Sequence, residues 1–119
     1  MKICVPTMGT EGMNEAICQH FGRAPTFTVV DMDTGDIQIL PNVSEHMCGS
    51  GLPTETILKM GVQVMIVGGL GPKAVAAFSS SGVDVYVGAA GSVKDAIDDW
   101  QAKMLQRADM DNACKDHRH

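Results

Sequence analysis

Two short clusters pair a thiol with an imidazole across a single residue, Cys18-Gln19-His20 and His46-Met47-Cys48. Thiolate and imidazole together suit soft or borderline metals, among them zinc, copper and iron–sulfur centres. Zinc knuckles separate their cysteines by roughly two to four residues, so this spacing does not specify zinc. Cys18, His20, His46 and Cys48 are therefore candidate metal ligands. Each also has a plainer reading, the cysteine as a small buried hydrophobe and the histidine as a surface or capping residue. Arg23 follows closely in His20-Phe21-Gly22-Arg23. Its guanidinium suits bidentate bonding to an anion, or pairing with a surface carboxylate.

Two glycine turns add a different chemistry. Gly68-Gly69-Leu70-Gly71-Pro72 and Ala89-Ala90-Gly91-Ser92 each stand where a strand should pass into a helix. Helix starts offer unpaired backbone N–H groups and the positive end of the helix dipole, which attract anions. Glycine also lets a bulky ligand approach the backbone, because no Cβ intrudes. Alternatively these glycines only permit tight turns. Neither turn is a phosphate-binding P-loop, since no Gly-Lys-Ser/Thr follows, and no G-x-G-x-x-G is present.

Known catalytic constellations are missing. The sequence has no serine-centred nucleophile elbow and no H-E-x-x-H pair. Asp95, Asp98 and Asp99 fall on the polar side of the last helix and read as helix-start electrostatics. Composition excludes further classes. The chain has 119 residues, a formal charge of −5 and 4% aromatic residues, which disfavours nucleic acid as a partner. No segment reaches the roughly 20 apolar residues of a membrane helix, and the N-terminus does not read as a signal peptide. A cytoplasmic location is expected, with Cys4, Cys18, Cys48 and Cys114 as thiols. Cys4, within an apolar strand, reads as core. The nine methionines read mainly as core filling.

The elements that must position these residues follow from periodicity. Lys2–Val5 predicts a first strand. Thr26–Val30 and Asp36–Leu40, joined by Asp33-Thr34-Gly35, predict a hairpin. Leu52–Met60 is helical in pattern, with Gly61 placed as a C-terminal cap. The apolar run Val62–Val67 predicts a strand buried on both faces. Gly61–Gly71 and Gly82–Gly91 form a weak internal repeat of strand, glycine turn and helix start. In the second copy Ser92 and Asp95 sit at capping-box positions, and Val93, Ala96, Ile97 and Trp100 share one helix face. The expected fold is α/β, a five-stranded mixed sheet in the order β-β-β-α-β-α-β-α flanked by helices. Val62–Val67 should lie between Lys2–Val5 and Val83–Val87. Residues 1–103 form one domain and 104–119 a polar, flexible tail whose Cys114, His117 and His119 could chelate metal. Such a sheet brings the segments Thr7–Arg23, Val43–Gly51, Gly68–Pro72 and Ala89–Ser92 to one edge. This is the edge where open α/β sheets bind ligands.

Several of these residues recur as an ordered set. Lys2-Ile3, His20-Phe21-Gly22-Arg23-Ala24 with Phe27, Gly68-Gly69-Leu70-Gly71-Pro72 and Gly82-Val83-Asp84-Val85-Tyr86 together resemble the dinitrogenase iron–molybdenum cofactor biosynthesis family, over roughly residues 1–103. The resemblance implies a ribonuclease-H-like fold and non-enzymatic handling of metal–sulfur clusters. Its relatives carry the iron–molybdenum cofactor or its iron–sulfur precursor, and the small orange protein among them holds a molybdenum–copper sulfide cluster noncovalently. The family motifs match at His20, Phe21, Gly22 and Arg23, and at Gly68, Gly69, Leu70, Gly71 and Pro72. Gly91 and Ser92 join them through the second turn, while a role for His46 and Cys48 rests on their chemistry.

The expected function is a carrier for a metal–sulfur cluster, exchanging it with donor and acceptor proteins as a monomer or weak dimer. Two alternatives stay open. One is a small-anion or nucleotide module at the same edge. The other is a mononuclear metal-binding regulatory protein built on Cys18, His20, His46 and Cys48.

Overall fold

A computed structural model describes residues 1–19, 24–41, 57–69 and 72–108. Among them are six strands, β1 (Lys2–Thr7), β2 (Thr26–Asp31), β3 (Ile37–Pro41), β4 (Val64–Ile66), β5 (Asp84–Val87) and β6 (Gln106–Ala108). Two helices are described, α1 (Pro72–Ser80) and α2 (Val93–Gln101), and a 3-10 turn spans Gly12–Asn14.

The strands form one sheet in the order β3-β2-β1-β4-β5-β6. β1 pairs in parallel with β4, and β4 with β5, while β2 is antiparallel to both β1 and β3. The apolar β4 therefore lies between β1 and β5, as its sequence demands. β3, reversed twice, runs in the direction of β1. The carboxyl ends of β1, β3, β4 and β5 thus share one edge, called the rim below.

The expected count of five strands is corrected to six. β6 is antiparallel to β5, with Val85 opposite Ala108 and Val87 opposite Gln106. It falls inside the stretch read as a polar tail. Its sequence, Gln-Arg-Ala, carries no apolar alternation, and Ala108 is the only buried member. The strand is held by backbone pairing and by the exposed Arg107–Asp84 ion pair at 2.8 Å. β6 runs away from the rim. The positions proposed for chelation beyond it, Cys114, His117 and His119, lie outside the described residues.

Alternation along the strands divides the core into two layers. Cys4, Phe27, Val29, Met65, Val67 and Val85 face Ile57 and the inward side of α1, Val75 and Phe78. Ile3, Val5, Val30, Val64 and Ile66 face the other way, onto Val93, Ala96 and Ile97 of α2. The 3-10 turn packs beside α2. Trp100 is half-buried at the margin and meets Tyr86 edge-on, with ring centroids 6.2 Å apart.

Local chemistry sets the boundaries. Between β2 and β3 the Asp31 carboxylate accepts from the N–H groups of Asp33 and Thr34, at 2.9 and 3.4 Å. The bond from Asp33 holds the Asp31 carboxyl below its ordinary range. Residues 57–59 are helical, and Gly61 closes that turn at φ +81°, donating to the Leu58 carbonyl. Residues 52–56, expected in the same helix, lie outside the described residues. Ser92 and Asp95 form the capping box at the start of α2.

Candidate functional site

The rim is tied together by hydrogen bonds between the loops leaving three strands. After β1 the chain folds back on itself, Met8 N–H to the Ala16 carbonyl and Cys18 N–H to the Pro6 carbonyl. It then runs beside the exit of β5. Ile17 donates to the Gly91 carbonyl at 2.9 Å, Val93 donates to the Glu15 carbonyl at 3.0 Å, and Ala16 bridges Ser92. The exits of β4 and β5 are joined by Gly88 N–H to the Gly68 carbonyl and Ala89 N–H to the Val67 carbonyl. Ile17 packs in the layer under α2 and Cys18 in the layer under α1, so the chain crosses the rim between them.

The predicted site residues fare differently. Cys18 is 6% exposed and belongs to the same core layer as Cys4. Gly68 is half-buried beneath the carboxamide of Gln19, into which a Cβ at position 68 would collide. Gly69 is exposed, its φ lies outside the left-handed region, and no atom of the described residues beyond its chain neighbours stands within 4 Å of where its Cβ would be. It is open backbone. His20, Phe21, Gly22, Arg23, His46, Cys48, Leu70 and Gly71 lie outside the described residues. Among the described residues no group of three or more His, Cys, Asp or Glu could hold a metal ion.

The two helix starts are not equivalent. At α2, Ser92 N–H donates to the Asp95 carboxylate and Asp95 N–H to the Ser92 hydroxyl, both at 3.2 Å. Val93 N–H is taken by Glu15. The N–H groups of Ser92, Val93 and Asp95 are thus each paired, that of Ser92 with a carboxylate. Gly91, at φ +84°, makes the turn, and a Cβ there would stand 2.6 Å from the Asp95 carboxylate. Gly91 and Ser92 thus serve the cap. Glu15 adds a second carboxylate on this side, accepting from Glu11 and Ala16 N–H at 3.2 and 2.9 Å. α1 differs. It opens on Pro72 and has no acidic residue in its first turn. Of the two helix starts, that of α1 is the one whose first turn carries no acidic residue, which suits an anion better.

Two features escaped the sequence reading. Gln19 donates from Nε2 to the Ala89 carbonyl at 3.2 Å, linking the exits of β1 and β5. Thr7, Thr26 and Thr28 form a buried hydroxyl network at the rim end of β1 and β2. Thr7 Oγ1 lies 2.7 Å from Thr26 Oγ1 and 3.0 Å from Thr28 Oγ1. Thr26 also donates to the Gly9 carbonyl at 2.6 Å, pinning the loop. The available signal was Thr7 at the end of an apolar strand, with Thr26 and Thr28 on one face of the next. Hollows of about 270 Å³ beside Lys2, Asp31 and Gln38, and about 470 Å³ beside Tyr86, Trp100 and Leu105, lie away from the rim.

Six strands in one mixed sheet, covered on both faces by helices, define an α/β domain. The chain belongs to the dinitrogenase iron–molybdenum cofactor family, whose model matches residues 1–103. It is 33% identical over 102 residues to the uncharacterized protein MJ0580 of Methanocaldococcus jannaschii, covering 82% of each chain. Its fold matches the apo form of the orange protein from Desulfovibrio gigas with a TM-score of 0.80, at 26% identity over 90% of this chain and 92% of that one. A Thermotoga protein of the DUF35 family, a NifB candidate, shares the fold with a TM-score of 0.73 at 22% identity, over 89% and 91% of the two chains.

Proposed function

We propose that this protein is a non-enzymatic carrier of a metal–sulfur cluster, taking it from a donor protein and passing it to an acceptor in cofactor assembly. The observation that carries this reading is the open Gly69 backbone before α1, a helix start with no acidic residue in its first turn. A metal–sulfide cluster is a bulky anion with soft acceptor sulfurs. Backbone N–H groups and a guanidinium bind such a surface through charge-assisted hydrogen bonds. The residues fit this cargo better on the α1 side than on the α2 side, where Glu15 and Asp95 stand. Arg23 and His20 complete the proposed set by their chemistry, with His46, Cys48 and Cys18 as candidate soft ligands. Cargo classes consistent with the family are the iron–molybdenum cofactor, its iron–sulfur precursor or a related molybdenum cluster.

Membership of a cofactor-assembly family supports the reading, and so does the likeness to the orange protein. We read the order β3-β2-β1-β4-β5 as a ribonuclease-H-like motif with β6 added at its edge. Nuclease chemistry does not follow, because β1 and β4 carry no carboxylate to hold catalytic metal. The working location in this reading is the cytoplasm. No helix among the described residues is long and apolar enough to cross a membrane.

Anaerobic isolation with metal and acid-labile sulfide analysis tests the proposal. Sulfide accompanying iron or molybdenum is the expected result. Zinc or copper without sulfide would replace it with a mononuclear metal protein. Protection by nucleotide without any metal would replace it with an anion module.

A further inference from the structure

Gln19 stands between two flagged residues, Cys18 and His20, and itself matched no motif. Its side chain reaches across the rim, Nε2 donating to the Ala89 carbonyl at 3.2 Å. The same carboxamide occupies the space that a Cβ at Gly68 would need. One exposed side chain therefore touches the exits of β4 and β5 while its own backbone belongs to the exit of β1. Gly68 needs no positive φ. Its lack of a side chain is explained by the carboxamide above it. Gly69, one residue on, is left uncovered. Of the two described glycines of the turn, Gly68 is covered and Gly69 is exposed, and Gln19 draws the line.

We propose that Gln19 is the positioning residue of the rim. Its carboxamide locks the exit of β1 to those of β4 and β5, and so fixes the shape in which the Gly68–Gly69 backbone meets a bulky anion. The inference rests on the cargo reading above and goes beyond it by assigning the residue that sets the geometry. The bond is made by a donor at the end of an exposed side chain, so its loss perturbs the rim without opening the core. Glutamate has the same shape but no donor for Ala89, and its charge faces a carbonyl oxygen. It should not substitute.

Tetrathiomolybdate, a compact sulfur-rich dianion, serves as the probe. It is achiral, so circular dichroism in its visible bands arises only when the protein holds it in a fixed orientation. Wild type, Gln19→Ala, Gln19→Glu and Gly68→Ala are titrated anaerobically, with thermal melts alongside. The expected result is an induced signal in wild type and loss of most of it in each variant. Affinity should fall roughly three- to tenfold, as for one lost hydrogen bond. Melting temperatures of the two Gln19 variants should stay near that of wild type. Gly68→Ala belongs in the set because its methyl group should evict the carboxamide. If it folds poorly, the Gln19→Ala/Gly68→Ala pair restores the space and should behave as Gln19→Ala alone. Wild-type signal and affinity in both Gln19 variants would overturn the assignment while leaving the carrier reading in place. No induced signal in wild type at saturating probe would overturn the carrier reading, and the assignment with it.

Discussion

At the scale of single residues, the two described cysteines show how little a residue type says without its surroundings. Cys4 is fully buried in an apolar layer, and burial pushes its thiol far above the ordinary value of 9.0. In the unfolded chain that thiol would lose its proton above about pH 9, whereas in the folded protein it keeps it. Stability should therefore be full below that pH and fall as pH rises further. Urea midpoints taken between pH 8 and 10 should show this decline in wild type and a shallower one in Cys4→Ala. Cys4→Ser should cost about 1–3 kcal/mol, since it places a hydroxyl in the same apolar layer. Arg23 is assigned by chemistry alone. Arg23→Ala should weaken cluster binding by about 1.5–3 kcal/mol, roughly ten- to hundredfold. The core role of Cys4 was legible because it sits among apolar neighbours in a short strand. Gln19 was not, because its partners, Gly68 and Ala89, are far away in sequence and only the folded sheet brings them together.

At the scale of elements, sequence patterns predicted shapes better than consequences. The continuous apolar run of β4 demanded two covered faces, and β4 lies between β1 and β5. The capping box at Ser92 and Asp95 was legible from its spacing. Its consequence was not, namely that the cap and the Glu15 carbonyl pair the N–H groups of Ser92, Val93 and Asp95. Ser92→Ala should accordingly lower stability by about 1 kcal/mol and leave cluster affinity unchanged. Thermal melts and a titration of that variant separate the two effects. A large loss of affinity would return the α2 start to the site. β6 was missed because it has three residues, polar outward positions and no alternation, so nothing local distinguishes it from a loop. A chain ending at Lys103 should lose roughly 5 °C or more in melting temperature, since it forfeits the β5 pairing and the burial of Ala108.

At the scale of the whole molecule, the fold converts unrelated loops into one edge. β1, β4 and β5 run in parallel, and β3 is returned to the same direction, so their exits meet. Hydrogen bonds from Ile17, Gly88, Ala89 and Val93 then bind three of those exits into a continuous rim. That rim has an acidic side at α2 and a glycine-bearing side at α1, whose first helical turn carries no acidic residue. A chain with a formal charge of −5 can offer an anion only such a local welcome. The central claim is that a bulky metal–sulfide anion sits against the open backbone at Gly69. Its most direct test is anaerobic titration of tetrathiomolybdate into wild type and Gly69→Val, because valine adds bulk where the ligand must lie. Gly69 is exposed with φ outside the left-handed region, and among the described residues beyond its chain neighbours no atom crowds its Cβ position, so the variant should melt with wild type. The account predicts saturable binding by wild type and at least tenfold weaker binding by Gly69→Val, about 1.4 kcal/mol or more. Equal affinity in the two proteins, with both folded, would contradict it.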